Sequence, residues 1–243
     1  MIGALVMFLL VNSSPERLQA EQHLKAGQEF LASERYEQAL ASFQQAIKLD
    51  PLMIMAHYGA GQSHMALKDY TSAVTSFERA RSAFKERSAD IISIRLENDR
   101  AREDRIIVLK DKIRENQERS LSPNSTAARE RDRRTQEWEM EIQRLQRVER
   151  IGTALELPAG LSLALGSAYF RSGQLKDAER EYRAAIDVQP KLGEPRNNLA
   201  VVLLLTGRPA DANAQVKLAE KSGFKVPPGL KQDIDKALAV PAP

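Results

Sequence analysis

No cysteine occurs in the 243 residues, which excludes disulfides and cysteine-based metal or thiol chemistry and leaves the compartment undecided. Aromatic residues are scarce at 5%, and runs of β-branched residues that would mark strands are missing. An excess of one charge sign is also lacking: 36 Lys and Arg face 33 Asp and Glu, for a net charge of +3. The sequence pI near 9.1 therefore overstates basicity, and nothing in the charge pattern calls for nucleic acid. The chain has no phosphate-cradling glycine loop, no HExxH pair, no nucleophile elbow and no acidic calcium loop. Its three histidines, His23, His57 and His64, lack the i,i+4 spacing of a helical metal pair. Catalytic, metal and cofactor residues are accordingly expected to be none, and the chain is read as no enzyme. What is present is 42% hydrophobic and 28% charged sequence, dominated by Ala, Glu, Arg, Leu and Gln. That is the composition of helices.

The stretch RYEQALASFQQAIKLDP (35–51) returns 139 residues later as QLKDAEREYRAAIDVQP (174–190). Aligned from 20, 54, 159 and 193, four segments carry small and large apolar residues at fixed offsets. In 20–51 these are Gly27, Phe30, Ala39, Phe43, Ala46 and Pro51. In 54–85 they are Gly61, His64, Ala73, Phe77 and Ala80. In 159–190 they are Gly166, Tyr169, Ala178, Tyr182, Ala185 and Pro190. In 193–222 they are Ala200, Leu203, Ala212, Val216 and Ala219. Gly or Ala at the eighth position and Ala at the twentieth let two helices approach closely. The aromatic at the twenty-fourth fills space between units, and Pro stops the second helix.

These offsets closely resemble the tetratricopeptide repeat, a helix-turn-helix unit of about 34 residues. The pattern departs at the fourth position, where an aromatic is usual and His23, His57, Ser162 and Arg196 stand instead. The resemblance implies a solenoid whose first helices line a groove for an extended or helical peptide. By offset that groove holds Leu24, Gln28, Leu31, Tyr58, Gln62 and Met65 in the first pair of units. In the second pair it holds Leu163, Phe170, Asn197, Asn198, Val201 and Leu204. A clamp for a terminal carboxylate needs Lys and Asn where Leu24, Gln28 and Gly59 stand, so a chaperone-tail clamp is disfavoured.

Between Arg81 and Leu157 lies charged sequence interrupted once, by SLSPNSTAA (120–128). Phe84, Ile91, Ile94, Asn98 and Ala101 keep a heptad-like spacing before the stripe shifts to Ile106, Leu109 and Ile113. Trp138, Ile142 and Leu145 continue it after the break. Two helices joined by a Ser/Pro/Asn turn read as an antiparallel coiled-coil hairpin. The rival, two further degenerate repeats, has the length but lacks the Gly and Ala offsets. PPGLKQDIDKAL (227–238) carries Leu230, Ile234 and Leu238 on a polar helix, as a terminal cap would.

The expectation is an all-α helix-turn-helix repeat solenoid with an inserted antiparallel coiled-coil hairpin and a C-terminal capping helix. Its parts are an apolar segment at 1–14, repeat pairs at 15–85 and 154–222, the hairpin at 86–153, and the cap and tail at 223–243. The apolar run from Ile2 to Val11 is too short for a bilayer, which takes about 20 residues. It suits the apolar stretch of an export signal or a membrane tether through residues 2–11, with a packed or assembly-forming helix as the alternative. An exported, periplasmic or membrane-associated location is thus favoured over a cytoplasmic one. Asn124, in the predicted turn, heads an N-x-S/T motif and is a glycosylation candidate. Two functions compete: a scaffold that binds a protein or peptide partner in its groove, and a structural subunit that assembles with copies of itself into a ring or filament in the cell envelope.

Overall fold

The computed structural model describes residues 15–118, 122, 125–147 and 157–239. About 85% of the described residues are helical and none is in a strand, so the all-α expectation is met. The helices are α1 (Pro15–Ala32), α2 (Tyr36–Leu49), α3 (Ile54–Ala66), α4 (Tyr70–Glu118), α5 (Thr126–Gln146), α6 (Ala159–Arg171), α7 (Leu175–Val188), α8 (Gly193–Leu205), α9 (Pro209–Lys221) and α10 (Pro228–Ala239). The chain separates into two compact units, Met1–Arg87 with Glu156–Pro243, and Ser88–Leu155.

The first unit holds the repeats. In each, a first helix ends in the same turn, with a left-handed residue at the fifteenth position: Glu34 (φ 57°), Lys68 (φ 62°), Gly173 (φ 83°) and Gly207 (φ 74°). The amide one residue further on reaches back to a carbonyl five residues earlier. These bonds are Arg35 to Phe30, Asp69 to His64, Gln174 to Tyr169 and Arg208 to Leu203, at 2.8–2.9 Å. Orphan carbonyls at the helix end are satisfied in this way while the chain reverses.

Why the offsets take small and large residues in alternation is visible at the rings. A Cβ built on Gly27 would stand 2.6 Å from the ring of Phe43, and Gly59 of the next repeat abuts the same ring. Phe77 lies equally close to Gly61, and Tyr182 to Gly166. The eighth-position glycine thus makes room for the aromatic of its own repeat as well as for helix approach. Ala39, Ala73, Ala178 and Ala212, all at the twentieth position, are completely buried. Two of the four unusual fourth-position residues have a task too. His57 Nε2 lies 2.8 Å from the Pro51 carbonyl, and Arg196 donates to the Pro190 carbonyl, tying each first helix to the end of the preceding repeat.

The second and third repeats, far apart in sequence, share one core. Ala73, Val74 and Phe77 of α4 pack with Leu161, Leu165 and Tyr169 of α6 and Tyr182 of α7. Polar contacts frame this core. Arg81 donates to the Glu181 carboxylate at 2.9 Å, Tyr169 donates to Glu78 at 2.6 Å, and Arg171 donates to the Tyr70 hydroxyl at 2.7 Å. Ala39, Phe43 and Ala46 of the first repeat form a second cluster with Ala56 and Ala60 of α3. Arg87 forks onto Asp50 there, at 2.9 and 3.1 Å.

α10 and the stretch before it close the solenoid, with Val226 and Ile234 buried and Phe224 and Leu230 packed against the same core. Leu238, assigned to the capping stripe by its spacing, is instead 43% exposed.

Described by itself, the second unit consists of α4 from Ser88 onward and α5. α4 is unbroken to Glu118, so residues 88–118 hold no helix-turn-helix repeat. Arg105 pairs with Glu141 at 3.0 Å, and Asn116 donates to the Arg131 carbonyl and the Thr135 hydroxyl. These pairings set α5 alongside α4 in the opposite direction. Ser125 caps α5 by accepting from the Ala128 amide. Leu109, Ala128 and Ile142 are buried, whereas Ile91 and Ile94 are 41% and 57% exposed among the described residues. The glycosylation candidate Asn124 and the apolar run at 2–11 lie outside the described residues.

Candidate functional site

The helical period turns one stripe of each first helix in the repeat unit toward a common face. On α3 that stripe is Tyr58, Gln62 and Met65; on α6, Leu163, Ser167 and Phe170; on α8, Glu194, Asn197, Asn198 and Val201. Where the three meet, Met65, Ser167, Phe170, Arg171, Tyr182, Asn198 and Val201 line a cavity of about 210 Å³. Its wall is mainly apolar, with one amide, one hydroxyl, one phenol and one guanidinium.

Of the groove residues read from the sequence, Phe170, Asn198, Val201 and Met65 come together on this cavity. Tyr58 does not line it but packs half-buried on the core, its ring 5.4 Å from that of Phe77. Leu163 and Leu204 are half-buried against the same core, and Gln62 is exposed. Leu24 and Leu31 pack instead on the cluster that joins the first repeat to α3, and Gln28 is exposed on α1. Asn197 donates to Asn198 Oδ1 at 3.2 Å, while its own Oδ1 is buried without a partner.

The repeat offsets do not single out Ser167, Arg171, Tyr182 or Glu194 as groove residues. Tyr182 sits at the twenty-fourth offset, whose periodicity speaks only of packing, yet its hydroxyl approaches Ser167 Oγ at 3.4 Å beside the cavity. Arg171 adjoins Phe170, and Ser167 and Glu194 fall one turn from Leu163 and Asn198; that helical spacing was the available signal.

The electrostatics of the face are set by burial and one carboxylate. Burial first, and the charge of Glu194 second, push the Tyr58 hydroxyl above the ordinary tyrosine value. Tyr182 is raised by burial and by Glu194, against the opposing effect of its hydrogen bond with Ser167. Behind this face, burial and the hydrogen bond to Glu78 push Tyr169 up to about 12. Among the described residues no cluster of His, Cys, Asp or Glu is placed to hold a metal, and no helix is long and apolar enough to cross a membrane.

No curated protein matches the chain. Solved structures similar to it include PilW, described as a widely conserved type IV pilus biogenesis factor, at 20% identity and TM-score 0.42 over 90% of this chain and 86% of that one. TTC0263, a thermophilic TPR protein of Thermus thermophilus, has 18% identity and TM-score 0.34 over 91% and 100%. YrrB, a TPR protein with an unusual peptide-binding site, has 15% identity and TM-score 0.30 over 88% and 90%. The family model described as Tetratricopeptide repeat matches residues 24–88 and 163–223. Those ranges carry the recurring offsets and all four left-handed turns, and together they exceed half of the sequence: the chain belongs to the tetratricopeptide repeat family.

Proposed function

We propose that this protein is a binding scaffold that seats one peptide or helical segment of a partner protein on the face formed by α3, α6 and α8. Chains of this family generally act as non-enzymatic protein-interaction scaffolds. The observation that carries the reading is the cavity of about 210 Å³ between Met65, Phe170, Tyr182 and Val201. An apolar space of about 150 Å³ already accepts a benzene ring, so a Phe, Leu or Met side chain fits here as an anchor. Asn198 is placed to bond the backbone of the bound segment while the apolar wall desolvates its side chain. Serial arrangement of the three stripes suits an extended or helical ligand rather than a compact one.

Panning a random dodecapeptide display library against the whole chain tests this. Enriched peptides are expected to carry a bulky apolar residue and to lose about tenfold or more in affinity against Phe170→Asp or Val201→Arg, the range of a lost anchor. Circular dichroism of both variants verifies that they fold. Enriched peptides that bind both folded variants as tightly as the wild type would sink the groove reading.

A further inference from the structure

The residues around the cavity are not electrically symmetric. Glu194 lies on the α8 stripe one turn before Asn198 and two before Val201, which puts its carboxylate at the N-terminal end of the binding face. It is exposed, and no described residue pairs with it. Its charge contributes, after burial, to raising the hydroxyls of Tyr58 of α3 and Tyr182 of α7, in keeping with that register. Arg171, the cation on the cavity wall, stands at the other end, on the last turn of α6. It is occupied by Tyr70, with its Nη2 2.7 Å from the hydroxyl and its guanidinium carbon 5.1 Å from the ring centroid. Arg196, on α8 itself, is engaged by the Pro190 carbonyl and Gln215. This end of the face thus carries an exposed carboxylate with no partner among the described residues.

We infer that the segment bound here carries a lysine or arginine beside its bulky apolar residue, with Glu194 as the counter-charge that selects it and sets its direction along the groove. The inference rests on the groove reading of the preceding section. A partner residue at that position must donate, because a carboxylate accepts only. The seating of the segment also removes water from the pair, and a charge-assisted bond is stronger there than in open solvent. An acidic residue at the same place would meet like charge, so the site discriminates by repulsion as well as attraction.

The dodecapeptide panning is read for this purpose by composition and by exchange. Wild-type protein is expected to enrich a bulky apolar residue with Lys or Arg at a constant spacing, and Glu194→Lys to enrich Asp or Glu at that spacing. An enriched peptide resynthesised with Gln for its basic residue should bind wild type about threefold more weakly at low salt, the scale of one partly exposed ion pair. The same exchange should cost nothing against Glu194→Gln. Enriched peptides with neutral or acidic neighbours, or an equal loss against Glu194→Gln, would overturn the inference while leaving the groove intact. Peptides indifferent to Phe170→Asp and Val201→Arg, or no enrichment at all, would overturn both.

Discussion

Four turns of the solenoid place a residue in the left-handed region, and two of them use a side chain that resists it. Gly173 and Gly207 take this conformation without cost, whereas Glu34 and Lys68 hold their Cβ close to the following carbonyl. Neither Glu34 nor Lys68 takes part in the ion pairs of its turn; both side chains are exposed. Lys68→Gly is therefore expected to raise stability by about 1 kcal/mol, and Glu34→Gly by a similar amount, less the entropy glycine gains in the unfolded chain. Chemical denaturation with an unchanged m-value checks this. Midpoints that fall for both variants would show that the turn is held by those side chains and not merely tolerated.

The junction of α4 with α6 and α7 is the element on which the array depends, because it joins repeats that the sequence separates. Its polar frame is partly buried: the Glu181 side chain is only 4% exposed and receives Arg81 at 2.9 Å and Arg180 at 3.0 Å. Removing Arg81 strips the principal inter-repeat partner from a buried carboxylate. Arg81→Met is expected to cost about 1–3 kcal/mol, moderated by Arg180, while Arg81→Met with Glu181→Leu should restore most of that loss. Thermal melts of the single and double variants decide it; additive losses would mean the pair is not coupled. The same junction carries a titration. Tyr169 is desolvated and donates to Glu78, which favours its neutral form and raises it to about 12. A raised folded value means that the contribution is fully present below the ordinary tyrosine value of about 10 and is lost as pH rises through about 12. Tyr169→Phe should therefore flatten the loss of stability between pH 10 and 12, measured by urea denaturation at each pH.

At the scale of the molecule, the repeat unit is built from two stretches of chain, Met1–Arg87 and Glu156–Pro243, and the core shared by Phe77, Leu165 and Tyr182 includes no described residue of 88–155. Replacing 88–155 by a flexible Gly/Ser linker is expected to leave a cooperative thermal transition and a helical spectrum. Closing a longer flexible loop costs little, since each doubling of its length adds only about 0.6 kcal/mol. An insoluble variant, or one that melts without a cooperative transition, would show that the second unit takes part in folding the first. Groove binding in the folded variant should match that of the whole chain.

The repeat was legible because its physics is local and periodic. Gly27 against Phe43, Gly166 against Tyr182, and the buried alanines at 39 and 178 answer to one helical turn meeting the next at a fixed offset, so their spacing alone identified the fold. Four of the seven residues lining the cavity were legible for the same reason: Phe170, Asn198, Val201 and Met65 lie on stripes that helical geometry dictates. Folding had to decide what depends on which repeats become neighbours. Arg81 meets Glu181, and Tyr169 meets Glu78, across gaps of 100 and 91 residues, and no periodicity links such positions. Leu238 kept the spacing of a core residue yet stays exposed, because spacing names a helical face and not what lies opposite it. Glu194 likewise looks like any surface carboxylate in the sequence; its effect on Tyr58 and Tyr182 depends on how α8 packs beside α6 and α7. Local periodicity determined the helices and their repeat, while the cavity and its charge arose from long-range packing, where the energy belongs to pairs of segments and not to either one alone.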